Sequence, residues 1–207
     1  MRSSRAMVSS RQMDAYRCVV SKRDVRAYLD RPLEEAVLRR VLDAGRRAGS
    51  ARNRQPWQFV VVTDRDLLRR LSRCGRFAGH LARAGAAVVI ALDDARALFD
   101  AGRCAQNMML AAWSLGVASC PATLHHEASA RTVLAIPARF ALAPVIALGY
   151  PHPRGRGRVE RLVLALATGG GRKPLGTLVH WNRFGARRPT MAEPPVADRL
   201  SSPDAPS

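Results

Sequence analysis

The chain has 207 residues, 34 Lys plus Arg against 16 Asp plus Glu, a formal charge of +18, and 47% hydrophobic residues. That length suits one domain with tails, and the apolar share excludes a wholly disordered chain. The longest apolar runs, Gly85–Leu92 and Leu162–Ala167, are strand-sized and fall far short of the roughly 18 residues that span a bilayer.

Residues 1–12 lack the apolar stretch of a secretory signal, so a cytoplasmic protein is expected. Among the basic residues only Lys22 and Lys173 are lysines, and the arginines are scattered and not gathered in one stripe. With no helix-turn-helix or zinc-finger spacing, the charge implies non-specific polyanion affinity and no specific nucleic-acid partner. Cys18, Cys74, Cys104 and Cys120 are far apart with no CxxC, which fits free thiols in a reducing compartment. His125-His126 follow Cys120 closely, but adjacent side chains diverge and no carboxylate cluster completes a metal site.

In chain order, residues 1–12 read as an Arg/Ser-rich tail, and Met13–Val20 as a short helix. Pro32 opens a helix to about Ala48, with Leu33, Val37, Val41, Ala44 and Ala48 near one face. The polar stretch Gly49–Pro56 follows as a loop. Gln58–Val62 is a β-branched strand, and Asp64 N-caps a helix through Arg73. Ala86–Leu92 is apolar on both faces and therefore central in a sheet.

Phe99–Leu115 is the longest helix, ended by Gly116; its apolar residues predict burial nearly all round, with a partner chain covering part of it. Glu127–Ala135 reads as a helix and Pro144–Tyr150 as a strand. Arg154–Arg158 is a loop, Val159–Ala167 is strand or helix, and Pro174 starts a last helix through His180. Residues 187–207 hold five of the thirteen prolines and read as a second tail, leaving 13–186 as the folded domain.

No nucleophile elbow, zinc-protease motif, phosphate loop or GxGxxG is present. Glu34-Glu35 fall in a first helical turn and Asp93-Asp94 at a strand end, so no acid/base pair stands out. A cofactor that brings its own reactivity would resolve this. Three segments suit an anionic one: Lys22, Arg23 and Arg26 in five positions around Asp24; Ser50, Asn53 and Gln55 in the polar loop; and Arg172-Lys173 before Pro174. Each alone also fits a solvated charge run or an ordinary turn.

Together and in this order they resemble the nitroreductase family of flavoproteins. The resemblance rests on Lys22–Arg26 with Leu29 and Pro32, on Ala48–Phe59, on the helix Gly102–Gly116, on Ala147–Pro151, and on Lys173–Leu175 with Val179–Gly185. It covers about residues 13–186, and Ser-x-x-Asn-x-Gln-Pro-Trp is its most specific run.

The resemblance implies an α+β fold with a central mixed or antiparallel sheet flanked by helices, in an intertwined homodimer with FMN at the shared interface. It implies an FMN-dependent oxidoreductase that passes hydride from NAD(P)H to nitroaromatics, quinones or similar flat acceptors by ping-pong turnover. A flavin- or deazaflavin-binding protein with little turnover is the alternative. By the same resemblance Lys22 and Arg23 meet the phosphate, and Arg26 the ribityl or N1/O2 side. Ser50, Asn53 and Gln55 reach the ring from the partner chain. Pro121, Ala122, Thr123 and Leu124 pass near N5, and Arg172 or Lys173 completes the phosphate cage. Asp24 stands where that family commonly has Ser, and would pair with Arg23 or Arg26 or accept from the flavin N3–H. Gly49 stands where it often has Pro.

Overall fold

The computed structural model describes residues 14–153 and 172–186, which belong to two compact units, Met1–Gly155 and Arg156–Ser207. The expected tails 1–12 and 187–207, and the segment 154–171, lie outside the described residues.

The first unit is built on five strands: β1 (Trp57–Val62), β2 (Ala86–Leu92), β3 (Ala118–Ala122), β4 (Ala141–Leu142) and β5 (Val145–Gly149). Their order is β1-β2-β5-β3, with β4 also on β2, and every ladder is antiparallel. The helices are α1 (Ala15–Ser21), α2 (Glu35–Arg46), α3 (Arg65–Ser72), α4 (Leu98–Ser114) and α5 (Glu127–Leu134).

Every residue of β2 is buried, as its two-faced apolar pattern predicts. Strand side chains alternate between faces. Val88, Ile90 and Leu92 therefore join Val41 of α2 and Cys104, Met108 and Ala112 of α4 in one core. Ala87, Val89 and Ala91 face the other way, onto Leu68 and Leu71 of α3 and Ala130 of α5. The helices thus form two layers with the sheet between them.

Local chemistry sets the helix ends. Asp64 accepts from the Leu67 amide at 2.8 Å, the N-cap expected of it. Gly116, at φ +73°, provides the left-handed residue that stops α4. Two ends differ from the sequence reading. Helix α2 begins at Glu35, because Pro32 and Leu33 approach it in extended chain and Glu34 is the cap residue. Arg31 is paired with Glu34 at 2.9 Å across that entry.

Within the single chain, helix α4 is covered along one stripe. Only the stripe Ala101, Cys104, Met108, Met109 and Ala112 is fully covered, and Phe99, Gly102, Arg103 and Gln106 are exposed. The reason is geometric: α2 and the sheet cover one stripe at three- and four-residue spacing, which leaves Ala105, Leu110 and Ala111 half-buried.

In the second unit, α6 (Leu175–Leu178) follows Pro174 but is a single turn and does not reach His180, since Val179 is already extended. The His180 ring stacks on Phe184 at 4.2 Å and its Nδ1 accepts from the Gly185 amide at 2.9 Å, closing a tight turn. Among the described residues no helix is long and apolar enough to cross a membrane.

Candidate functional site

The cationic segment leaves α1 and runs along the edge of the sheet. Helix α1 is fastened to α4: the Trp113 indole donates to Ser21 Oγ at 3.0 Å, and the Cys18 thiol to the Leu110 carbonyl at 3.4 Å. The chain then lies parallel to β3 through an Asp24–Ser119 bridge, with the Val25 amide donating to the Ser119 carbonyl at 3.0 Å. It next crosses the end of β5, where the Leu29 amide donates to Tyr150 at 2.9 Å. Gly149 permits this crossing, since a Cβ there would lie 2.8 Å from the Tyr28 ring.

Three cations and one carboxylate are therefore held at the β3 edge. Asp24 pairs with Lys22, a partner the sequence reading did not name. The Lys22 side chain is only 11% exposed, and its ammonium also faces the Met109 sulfur at 3.6 Å. Arg23 turns back to cap α1, donating from Nη1 to the Val20 and Lys22 carbonyls at 2.8 and 3.0 Å. The guanidinium of Arg26 donates to the Cys120 thiol; burial nevertheless pushes that thiol up from its ordinary pKa.

Other chemistry-bearing groups surround this edge. Ser119 is fully buried, and its hydroxyl has no partner among the described residues. Burial raises the Tyr28 phenol and lowers the His80 imidazole, so both are neutral at pH 7. Neither residue stands out in sequence. Ser119 and Cys120 carry a weak signal, the small-residue run that leads into Pro121.

Pro121 and Ala122 end β3, and Thr123 and Leu124 continue it; Thr123 is exposed and Leu124 buried. Two neighbouring backbones meet here, because a Cβ on Gly75 would stand 2.3 Å from the Thr123 carbonyl oxygen.

The polar loop is elsewhere. Its backbone is strained, with Arg52, Asn53 and Gln55 at φ +53°, +54° and +50°. Ser50 Oγ accepts from the Gln55 amide at 2.9 Å, and Asp100 on α4 accepts from the Ala51 amide at 3.1 Å. Arg54 pairs with Asp94 at 3.3 Å. A Cβ on Gly49 would be 2.3 Å from the Arg103 guanidinium, the far end of an exposed side chain that can move aside.

This loop contacts α4 at Asp100, whereas Lys22 contacts it at Met109. Nine helical residues separate those positions by about 13 Å along the axis and place them on opposite faces. One protomer therefore brings Lys22, Arg23, Asp24 and Arg26 beside Pro121, Ala122, Thr123 and Leu124, but does not bring Ser50, Asn53 or Gln55 to them. Two clefts, of about 540 and 360 Å³, flank the loop and not the cationic edge. Arg172 and Lys173 are exposed residues of the second unit.

The family model described as the nitroreductase family matches residues 19–74 and 76–150. The chain belongs to the nitroreductase family. The matched span holds the cationic segment, the polar loop and Pro121–Leu124, and stops before Arg172 and Lys173.

Among curated relatives, a candidate NADH dehydrogenase/NAD(P)H nitroreductase of Archaeoglobus fulgidus is 30% identical over 149 residues, covering 67% of this chain and 86% of that one. An NADH dehydrogenase of Thermus thermophilus is 28% identical over 196 residues, covering 73% and 96%. The crystal structure of a candidate nitroreductase from Desulfovibrio desulfuricans in complex with FMN superposes with a TM-score of 0.69 at 26% identity, covering 82% of this chain and 96% of that one. The nitroreductase fold, helices about an open antiparallel sheet, is shared with it.

Proposed function

We propose that this nitroreductase-family protein is a cytoplasmic, FMN-dependent oxidoreductase that takes electrons from NAD(P)H and works as a homodimer. Nitroaromatics, quinones or similarly flat electrophiles are the acceptors it would serve. The observation that carries the reading is the cationic segment pinned along β3 by the Asp24–Ser119 bridge, inside the span that matches the family. The four free, buried thiols suit a reducing compartment.

The residues fit FMN. Lys22, Arg23 and Arg26 exceed Asp24 by two positive charges, which matches the roughly −2 of a phosphomonoester at neutral pH. The orphaned Ser119 hydroxyl beside them is a buried polar atom in want of a ligand. Lys22 and Arg23 would hold the phosphate, and Arg26 would lie toward the ribityl chain and N1/O2. Pro121, Ala122, Thr123 and Leu124 would border the ring. Ser50, Asn53 and Gln55 would reach it from a second copy, since α4 separates them from Lys22 within one chain.

When bound, FMN would relay two electrons from the reduced nicotinamide to the acceptor. The protein's part is to bind and to orient. Arg26 would place positive charge on the N1/O2 side, where negative charge accumulates on reduction, and so would favour the reduced form. Donor and acceptor would use the same site in turn, so turnover would alternate and would need no obligatory side-chain acid.

Protein supplied with FMN should quench its fluorescence, and the flavin band should bleach on anaerobic addition of NADPH or NADH. Arg23→Ala and Arg26→Ala should each weaken FMN affinity about tenfold or more, the loss expected for a charge-assisted contact. Failure of the wild type to take up FMN, or two variants with unchanged affinity, would refute this placement.

A further inference from the structure

We propose that Asp24 is a specificity-determining residue that weakens the hold on a phosphate dianion and makes FMN an exchangeable ligand of this site. The inference rests on the flavin reading above and concerns how tightly the phosphate end is held.

The cations on the segment already have partners. Asp24 neutralises Lys22, whose side chain is 11% exposed and whose ammonium also faces the Met109 sulfur at 3.6 Å. Arg23 spends Nη1 on the Val20 and Lys22 carbonyls at the end of α1. An incoming phosphate must either displace Asp24 from Lys22 or share the ammonium with it. Displacement costs an existing ion pair; sharing places a dianion beside a carboxylate. Either route lowers affinity for a phosphorylated ligand.

A ligand ending in a neutral hydroxyl meets no such conflict, because the pair offers it both a donor in Lys22 and an acceptor in Asp24. The penalty therefore falls on the phosphate alone. Asp24 itself is about half exposed, at 49%, so its removal leaves the packing around it intact.

The test compares FMN and riboflavin binding, by fluorescence quenching, in wild type, Asp24→Asn and Asp24→Glu. Asp24→Asn should bind FMN about tenfold tighter or more and riboflavin within about twofold of wild type. Asp24→Glu keeps the carboxylate and should behave as wild type. A second readout needs no flavin. Asp24→Asn strands the Lys22 ammonium, so its melting temperature should fall, and inorganic phosphate should raise it more than it raises that of the wild type.

Equal gains for both flavins, or no gain for FMN, would overturn the role of Asp24 while leaving the flavin site standing. Absence of binding by either flavin to any of the three proteins would overturn the site and this inference together.

Discussion

Replacing Gly75 by alanine should destabilise the protein through one backbone contact. An added Cβ would sit 2.3 Å from the Thr123 carbonyl oxygen and 2.9 Å from the Ala78 Cβ. Carbon and oxygen ordinarily approach no nearer than about 3.3 Å, so the Thr123 strand must retreat by about 1 Å. It is poorly free to do so: the His126 amide donates to Cys74 at 2.9 Å and the Arg76 amide to His125 at 3.3 Å, tying the same two segments together. Overpacking against side chains costs about 1–3 kcal/mol, and a backbone obstacle puts this site at about 2–3 kcal/mol. For a chain of this size that lowers the melting temperature by about 4–12 °C. Gly79→Ala is the matched control, since nothing lies within 4 Å of its added Cβ, and it should melt within about 2 °C of wild type. Differential scanning calorimetry reads both. A Gly75→Ala protein that melts with the wild type would refute the close approach.

Ser119→Ala removes a buried hydroxyl that lacks a partner among the described residues, so the flavin-free protein should be unchanged or stabilised by up to about 1 kcal/mol; a melting temperature lower by more than 2 °C or so would contradict this. The Asp94 carboxyl is held down to about 2, chiefly by Arg96 and secondarily by Arg54. Its folded value lies below the ordinary one of about 3.9, so its contribution is present above that and disappears as pH falls toward 2. A carboxyl NMR titration of Asp94 with a midpoint above about 3.5 would refute the arrangement. Burial pushes the Cys104 thiol up to about 12, and the residue is fully covered. Iodoacetamide at pH 8 should therefore spare Cys104 in the native protein and modify it in urea, as peptide mass mapping would show.

Where side chains report their surroundings, the sequence was readable. Strand β2 is apolar at every position because both its faces are covered, and α3 carries its start signal in Asp64 and α4 its stop signal in Gly116. Strand β3 was missed because Ala-Ser-Cys-Pro-Ala has neither β-branching nor alternation; its pairing with β5 creates it, and Pro121 is tolerated because the strand lies at the sheet edge. Two-residue β4 leaves no period to read.

The site divided in the same way. Charged residues that act locally, Lys22 to Arg26, could be grouped by spacing. Which cation Asp24 would choose depended on the half-buried position of Lys22 against α4, a tertiary fact. Ser119, Cys120, Tyr28 and His80 meet only through sheet registry and loop packing. The left-handed backbone of Arg52, Asn53 and Gln55 was equally hidden, since none is glycine.

Strand β3 ends the sheet on one side, and an uncovered strand there would offer open amides and carbonyls to any neighbouring chain. The segment after α1 lies over that border through the Asp24–Ser119 bridge, so the residues assigned to the cofactor also guard against edge-to-edge strand pairing between chains. Loosening them should leave preparations that precipitate on storage, and a ligand that clamps them down should lengthen shelf life.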